Sequence, residues 1–208
     1  MKKIIALMLS VMMILGMFPV ISFADSEVYS QDFEKLTTES LSNDGWKLSF
    51  RIQGDLVSKP ENGLGSVEIV DDPDGEKGKV LKVCDSDVSQ YAFAEKKIAT
   101  IPGSGNAVIE FDMRSSNYGT FFTANDNDRG YDANTNNLST QFSLVSNKLL
   151  YYTAIGNQKS VQNVKTNKWI HYKVDITMGN GTYKIYADGE LIAENLPFRC
   201  LHYHCPAG

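Results

Sequence analysis

Apolar and polar residues alternate strictly over residues 170–178, in the last third of the chain. From Ile170 to Met178 every second residue is apolar, and the residues between them are His171, Lys173, Asp175 and Thr177. Successive side chains of a β-strand point to opposite faces, so this period of two indicates a strand with one buried face and one exposed face. The segment therefore predicts a half-buried strand.

Turn residues follow this strand at short intervals. Residues 179–181, Gly-Asn-Gly, tolerate positive φ, and Tyr183 to Ala187 alternates again. Asp188-Gly189 is a two-residue signal for a type I′ hairpin before Glu190 to Ala193. These signals predict three consecutive antiparallel strands joined as a meander.

The middle of the chain gives the same kind of signal. Val67 to Val70 and Lys79 to Val83 alternate on either side of a loop rich in turn formers, residues 71–78. No window has helical periodicity with convincing caps, and strands recur every ten to twenty residues. This spacing is typical of an all-β sandwich.

Several residues of the meander resemble a known family. They are Trp169 at the start of a strand, the Gly181-Thr182 turn, and Tyr186-Ala187-Asp188-Gly189, which is similar to a Tyr-x-Asp-Gly pattern. The match resembles the laminin G-like domains of the concanavalin A-like lectin and glucanase superfamily. The resemblance implies a jelly-roll sandwich and glycan binding.

The N-terminus has the composition of a bacterial secretion leader. Lys2 and Lys3 precede an apolar run from Ile4 to Val20, and residues 22–24 form a small-x-small exit. We expect cleavage after Ala24 and export of a secreted, extracellular domain. A membrane anchor is the competing interpretation, but the run ends at a cleavage signal and no second hydrophobic span follows.

Charge narrows the set of partners. Without the two leader lysines, 18 basic and 25 acidic side chains give a net charge of −7. Such acidity argues against nucleic acid and against anionic membranes. A polysaccharide or other glycan is compatible with it.

The last nine residues, 200–208, do not continue the strand pattern. They contain Cys200, Cys205 and two histidines. A disulfide between the two cysteines would leave Cys84 unpaired; a metal cluster and a tail foreign to the fold, through truncation or a change of reading frame, are the other interpretations. The resembling families have a further closing strand at this point, and none is visible here.

Residues 108–114 raise the question of catalysis. Alternation places Glu110, Asp112 and Arg114 on one face of a predicted strand. Retaining glucanases of the resembling superfamily have Glu-x-Asp-x-x-Glu or a close variant, whereas this chain has Ser115 and no second Glu. Double displacement needs two suitably spaced carboxyl groups, so we predict a polar or ligand-contacting row and no catalytic pair.

A polar loop and the start of the predicted domain provide the remaining candidates. Asp126 and Asp128 supply the oxygen ligands that calcium prefers, although their spacing is not that of an EF-hand. Tyr118 and Tyr131 offer aromatic faces on which a sugar ring can stack. Similar sandwich modules hold a structural calcium near their first strand, and this resemblance makes Asp32 and Glu34 further candidate ligands.

Together these observations predict a leader over residues 1–24, one antiparallel jelly-roll β-sandwich over residues 25–199, and an atypical tail. We expect a non-catalytic carbohydrate-binding domain, an accessory module of a polysaccharide-degrading protein. A glycoside hydrolase or lyase domain and a cell-envelope adhesion domain are the alternatives. The predicted ligand-binding residues are Glu110, Asp112, Arg114, Tyr118 and Tyr131, and the predicted calcium ligands are Asp32, Glu34, Asp126 and Asp128.

Overall fold

The computed structural model of the protein describes residues 29–52, 55–57, 65–85, 90–98, 105–116, 120–125, 138–145, 148–154, 157–163 and 165–198. The chain divides into two compact units, Met1–Ser30 and Gln31–Gly208, and only Tyr29 and Ser30 of the first unit are described. The predicted leader and the tail after residue 199 lie outside the described residues. No described helix is long and apolar enough to cross a membrane.

Nearly all regular structure in the described part is β-strand, apart from two short 3₁₀ turns, Thr38–Ser40 and Met178–Asn180. The strands are β1 (Trp46–Ile52), β2 (Asp55–Val57), β3 (Gly65–Asp71), β4 (Lys79–Asp85), β5 (Gln90–Lys96), β6 (Asn106–Arg114), β7 (Thr120–Asn125), β8 (Leu138–Val145), β9 (Lys148–Ala154), β10 (Asn157–Asn163), β11 (Trp169–Thr177), β12 (Thr182–Ala187) and β13 (Glu190–Pro197).

The strands form antiparallel sheets. Two have four strands each, in the orders β13-β12-β11-β6 and β10-β9-β8-β7, and the others are β2-β1-β5 and the β3-β4 pair. All described strand pairs are antiparallel. The all-β class predicted from the sequence is therefore confirmed.

Strand β11 shows how the alternation builds the core. Ile170, Tyr172, Val174 and Ile176 are buried, while the residues between them point to the other face. They pack with side chains of β8, β9, β12 and β13 in one cluster, whose buried members also include Phe142, Leu144, Leu149, Tyr183, Ile185 and Leu196. Because both four-stranded sheets contribute, this is the two-layer arrangement of a β-sandwich.

Three aromatic rings occupy the centre of this cluster. The Tyr172 ring lies 5.7 Å from the Phe111 ring and 5.7 Å from the Phe142 ring, within the range of favourable aromatic contacts. The Tyr172 hydroxyl is buried and has no hydrogen-bond partner among the described residues. Burial raises the pKa of Tyr172 to about 12, and the negative charge of Asp188 makes a smaller contribution to this increase.

A second cluster is built from the first five strands and from the segment that precedes β1. Its buried members are Leu41, Phe50 and Val67, with Trp46, Leu48, Ile69 and Leu81 among the residues packed against it. Among the described residues the two clusters share no member. The strands before residue 98 therefore bury their own apolar side chains, separately from the sandwich formed by β6 to β13.

The predicted meander corresponds to β11, β12 and β13. Asp188 and Gly189 have φ values of 50° and 82°, as a type I′ turn requires at both central residues. Gly181 has a φ of 60° and ends the second 3₁₀ turn. Met178 belongs to this turn rather than to β11, yet it still packs against the core as its place in the alternation predicts.

Candidate functional site

The sheet β13-β12-β11-β6 exposes a row of charged and aromatic side chains on the face opposite its core. The register pairs Arg114 with Trp169, Asp112 with His171, and Glu110 with Lys173. It also pairs Lys173 with Tyr186 and Asp175 with Lys184 across β11 and β12. We call this surface the polar face; its members are Glu110, Asp112, Arg114, Trp169, His171, Lys173, Asp175, Lys184 and Tyr186.

Asp112 is the most heavily engaged residue of the polar face. Its Oδ2 accepts a hydrogen bond from Lys77 Nζ at 2.8 Å, and its Oδ1 lies 2.9 Å from His171 Nδ1. Burial alone would raise the pKa of Asp112, but the bonds from Lys77 and His171 outweigh it and hold that pKa below its ordinary value. A carboxylate only accepts hydrogen bonds, so Nδ1 carries the proton and Nε2 is the acceptor in neutral His171.

Lys77 belongs to a loop that lies against one end of the polar face. The loop runs from Asp72 to Gly78 between β3 and β4, and Asp72 organises it from within. The buried Asp72 carboxylate accepts hydrogen bonds from the backbone N–H groups of Asp74, Glu76 and Lys77. Such a set of bonds is typical of an Asx-type turn and fixes the loop backbone.

The same carboxylate ties the loop to the sandwich. Trp169 Nε1 donates a hydrogen bond of 3.1 Å to Asp72 Oδ2. Burial would raise the pKa of Asp72, but the bonds from the loop backbone and from Trp169 outweigh it and hold the pKa below its ordinary value. Trp169, which the sequence places at the start of a strand, therefore contacts the loop.

Two further contacts position the loop. Arg114 Nε lies 3.0 Å from Asp74 Oδ2 as an ion pair, although the N–H of Nε is not aligned for a hydrogen bond. At the C-terminal end of the loop, Glu34 Oε1 accepts a hydrogen bond of 2.9 Å from the backbone N–H of Lys79. Together with Asp112 and Trp169, these residues hold the loop in one place.

The polar face beyond the loop is open to solvent. Glu110 is exposed, and Lys173 Nζ lies 5.6 Å from the centre of the Tyr186 ring, within range of a cation–π contact. Lys173 Nζ also lies 3.4 Å from Asp175 Oδ1, at a distance that attracts but without a hydrogen bond. This open part presents hydrogen-bonding groups beside an aromatic ring.

The structure brings three of the predicted ligand-binding residues together. Glu110, Asp112 and Arg114 point to the same face of β6, while Ile109, Phe111 and Met113 pack against the core as their alternation predicts. Asp112 and Arg114 form ion pairs with Lys77 and Asp74 of the loop, and Glu110 remains exposed. The other two predicted binding residues, Tyr118 and Tyr131, lie outside the described residues.

The predicted calcium ligands are not gathered into a site in the described part. Glu34 is bonded to the backbone of Lys79, Asp32 is exposed, and Asp126 and Asp128 lie outside the described residues. No group of three His, Cys, Asp or Glu side chains able to hold a metal ion occurs among the residues described. Calcium binding remains a prediction.

Sequence reasoning assigned no binding role to Lys77 or to the polar-face residues of β11 and β12, among them His171, Lys173 and Tyr186. The alternation predicts that His171 and Lys173 lie on the exposed face of their strand, but no local pattern indicates that β6 is the neighbouring strand. The cross-strand pairing supplies that information, because residues directly opposite each other in antiparallel strands share a face.

Asp188 illustrates a structural use of a residue in the family-like motif. Its Oδ1 accepts a hydrogen bond from the backbone N–H of His171 at 3.0 Å, and its own N–H donates to the His171 carbonyl at 2.8 Å. These bonds attach the β12–β13 hairpin turn to β11. The Asp of this motif therefore stabilises the sheet at the His171 position.

Comparison with known proteins supports the fold. No family model matches the chain, and no curated protein matches it. A solved structure named a sialidase matches with a TM-score of 0.57 and 16% sequence identity, over 86% of this chain and 14% of the other. The chain thus spans 14% of that protein's length, and at this identity the likeness concerns the fold alone.

Proposed function

We propose that this chain is a secreted, non-catalytic carbohydrate-binding domain with a concanavalin A-like jelly-roll fold, an accessory module of a polysaccharide-degrading protein. The observation that carries the proposal is the open part of the polar face, where Glu110, Lys173 and Tyr186 lie side by side. Aromatic rings offer an apolar surface for the C–H face of a sugar, and the neighbouring polar groups can bond its hydroxyls. The leader-like N-terminus and the fold shared with a protein named a sialidase support the same proposal.

The engagement of Asp112 supports a binding role over hydrolysis. Retaining hydrolysis needs one carboxylate free to act as a nucleophile and a second free to exchange a proton. Asp112, the carboxylate two residues from Glu110, is held by Lys77 and His171 instead. With Asp112 held in this way, the row of Glu110, Asp112 and Arg114 is better suited to contacting sugar hydroxyl groups than to retaining hydrolysis.

A glycan array followed by calorimetry with the bound sugars tests the proposal. Tyr186→Ala should weaken binding at least about tenfold, equal to about 1.4 kcal/mol, because the ring supplies the stacking surface. Tyr91→Ala is the matched control, since Tyr91 is an exposed tyrosine of β5, which belongs to another sheet. A blank array, or equal loss of binding in both variants, would contradict the proposed function or its location.

A further inference from the structure

We infer that the glycan bound by the polar face is electrically neutral, carrying hydroxyl groups and no carboxylate or sulfate. This inference rests on the proposed function and specifies its ligand class. It follows from the way in which the charges of the polar face are distributed.

The basic side chains on and around the polar face each have an acidic partner. Their ion pairs are Lys77 with Asp112 at 2.8 Å, Arg114 with Asp74 at 3.0 Å, Lys173 with Asp175 at 3.4 Å and Lys184 with Glu194 at 4.0 Å. An anionic sugar would have to compete with these built-in carboxylates for the cations. Most of the surface charge is thus compensated before any ligand arrives.

Glu110 is the group left over. It is exposed on β6, and within the described ranges no basic group lies within ion-pair distance of it. Its cross-strand neighbour Lys173 directs its ammonium group toward Asp175 and the Tyr186 ring. The open part of the polar face therefore carries an excess negative charge at Glu110.

The hydrogen-bond acceptors of the polar face also favour a neutral ligand. A carboxylate only accepts hydrogen bonds, and neutral His171 presents Nε2 as a further acceptor because Nδ1 donates to Asp112. Sugar hydroxyls are donors that satisfy both groups. A ligand carboxylate would instead face Glu110 as a like charge, and like charges brought together at an interface disfavour binding.

His171 does not reverse this balance when it is protonated. Its positive charge would lie directly against Asp112, which stays ionised because its pKa is held low. The charged groups facing His171 from the packed elements are Asp112 of β6, Lys77 of the loop, which is bonded to the same Asp112 carboxylate, and Asp188 of the β12–β13 turn, whose carboxylate accepts a hydrogen bond from the His171 backbone N–H. The face thus gains a cation that is already paired.

A matched pair of ligands tests the inference: a neutral oligosaccharide that binds on the array, and the same oligosaccharide carrying a terminal sialic acid. The neutral member should bind at least about tenfold more tightly, about 1.4 kcal/mol, and its Kd should change less than about twofold between low and high salt. Glu110→Gln should reduce the preference for the neutral ligand. Glu68→Gln, a substitution on β3 in a different sheet, should leave the preference unchanged.

The outcomes separate the two proposals. Tighter binding of the sialylated or a uronate-containing ligand, or equal binding of both members, would overturn the inference of a neutral glycan and leave carbohydrate binding standing. Binding of neither class would contradict the proposed function and this inference with it. A preference unaffected by Glu110→Gln would overturn the assignment of selectivity to Glu110.

Discussion

Gly78 and Gly75 are a natural pair for measuring what the contact between Glu34 and the loop contributes to stability. Both glycines belong to the Asp72–Gly78 loop and have nearly the same positive φ, 70° for Gly78 and 71° for Gly75. A Cβ atom at Gly75 would meet no atom within 4 Å, whereas one at Gly78 would overlap the Glu34 carboxylate. Alanine at either position introduces the same backbone strain, but only at Gly78 does it displace Glu34.

The expected magnitudes follow from these two effects. A left-handed alanine costs roughly 1–2 kcal/mol, which is the whole effect expected for Gly75→Ala. Gly78→Ala should cost roughly 1 kcal/mol more, because Glu34 loses its hydrogen bond to the Lys79 N–H and the exposed setting limits that bond to about 0.5–1.5 kcal/mol. For a chain of this size the difference corresponds to roughly 2–4 °C in Tm.

Urea denaturation of the four combinations of Gly78→Ala and Glu34→Ala provides the assay. Without the Glu34 carboxylate the overlap disappears, so in the Glu34→Ala background Gly78→Ala and Gly75→Ala should lower the free energy of unfolding equally. The two substitutions at positions 34 and 78 should then be less than additive by roughly 1 kcal/mol. Equal losses for Gly75→Ala and Gly78→Ala in the parent chain, or strict additivity, would refute the contact.

Four further predictions concern the core, the site and the proposed cofactor. Tyr172→Phe should raise stability by about 1 kcal/mol, because it removes a buried hydroxyl that has no partner among the described residues. It should also abolish the loss of stability between the unfolded pKa of 10.0 and the folded pKa of about 12, whereas a clear destabilisation would show that the hydroxyl has a partner. Asp112→Asn should reduce the loss of stability below pH 4. The pKa of Asp112 is lower in the folded chain than in the unfolded chain, so its ionised form stabilises the fold above the unfolded pKa, and this stability disappears as Asp112 is protonated. An unchanged loss of stability at acidic pH in urea titrations would contradict this prediction. Millimolar calcium should raise Tm more than magnesium does. If the site is in the loop, Asp126→Ala combined with Asp128→Ala should abolish this shift, and if it is near the first strand, Glu34→Ala should abolish it. Equal shifts for the two ions would remove the calcium proposal. The purified chain should release no reducing sugar from β-glucan or xylan above a buffer blank, and turnover that disappears in Glu110→Gln would overturn the binding-only role.

The local geometry of the strands could be predicted from the sequence because alternation is a property of neighbouring residues. Residues 170–177 alternate in burial as their polarity does, and β6 orients Glu110, Asp112 and Arg114 alike. The Asp188-Gly189 turn has the two positive φ values that its residues favour. In each case a few consecutive residues contain the physical cause.

The pairing between distant segments could not be predicted in this way. Asp112 and His171 are 59 residues apart in the chain, Lys77 and Asp112 are 35 apart, and Asp72 and Trp169 are 97 apart. These contacts depend on which strands are neighbours and on the register between them. Alternation with a period of two shows which face a side chain lies on, but it does not identify the neighbouring strand. The sequence predicts the loop over residues 71–78, but it does not predict that this loop lies against the polar face.

The position of that loop also determines which residues remain available to a ligand. Asp112 and Arg114 share a row with Glu110, and a sequence pattern cannot distinguish the three. The loop distinguishes them, because Lys77 and Asp74 neutralise Asp112 and Arg114 at one end of the polar face, while Glu110 lies beyond the loop and stays exposed. Recognition should therefore depend on Glu110, Lys173 and Tyr186, and changes at Asp72 or Trp169 should act on ligand affinity only through the stability of the loop and the sheet that it contacts.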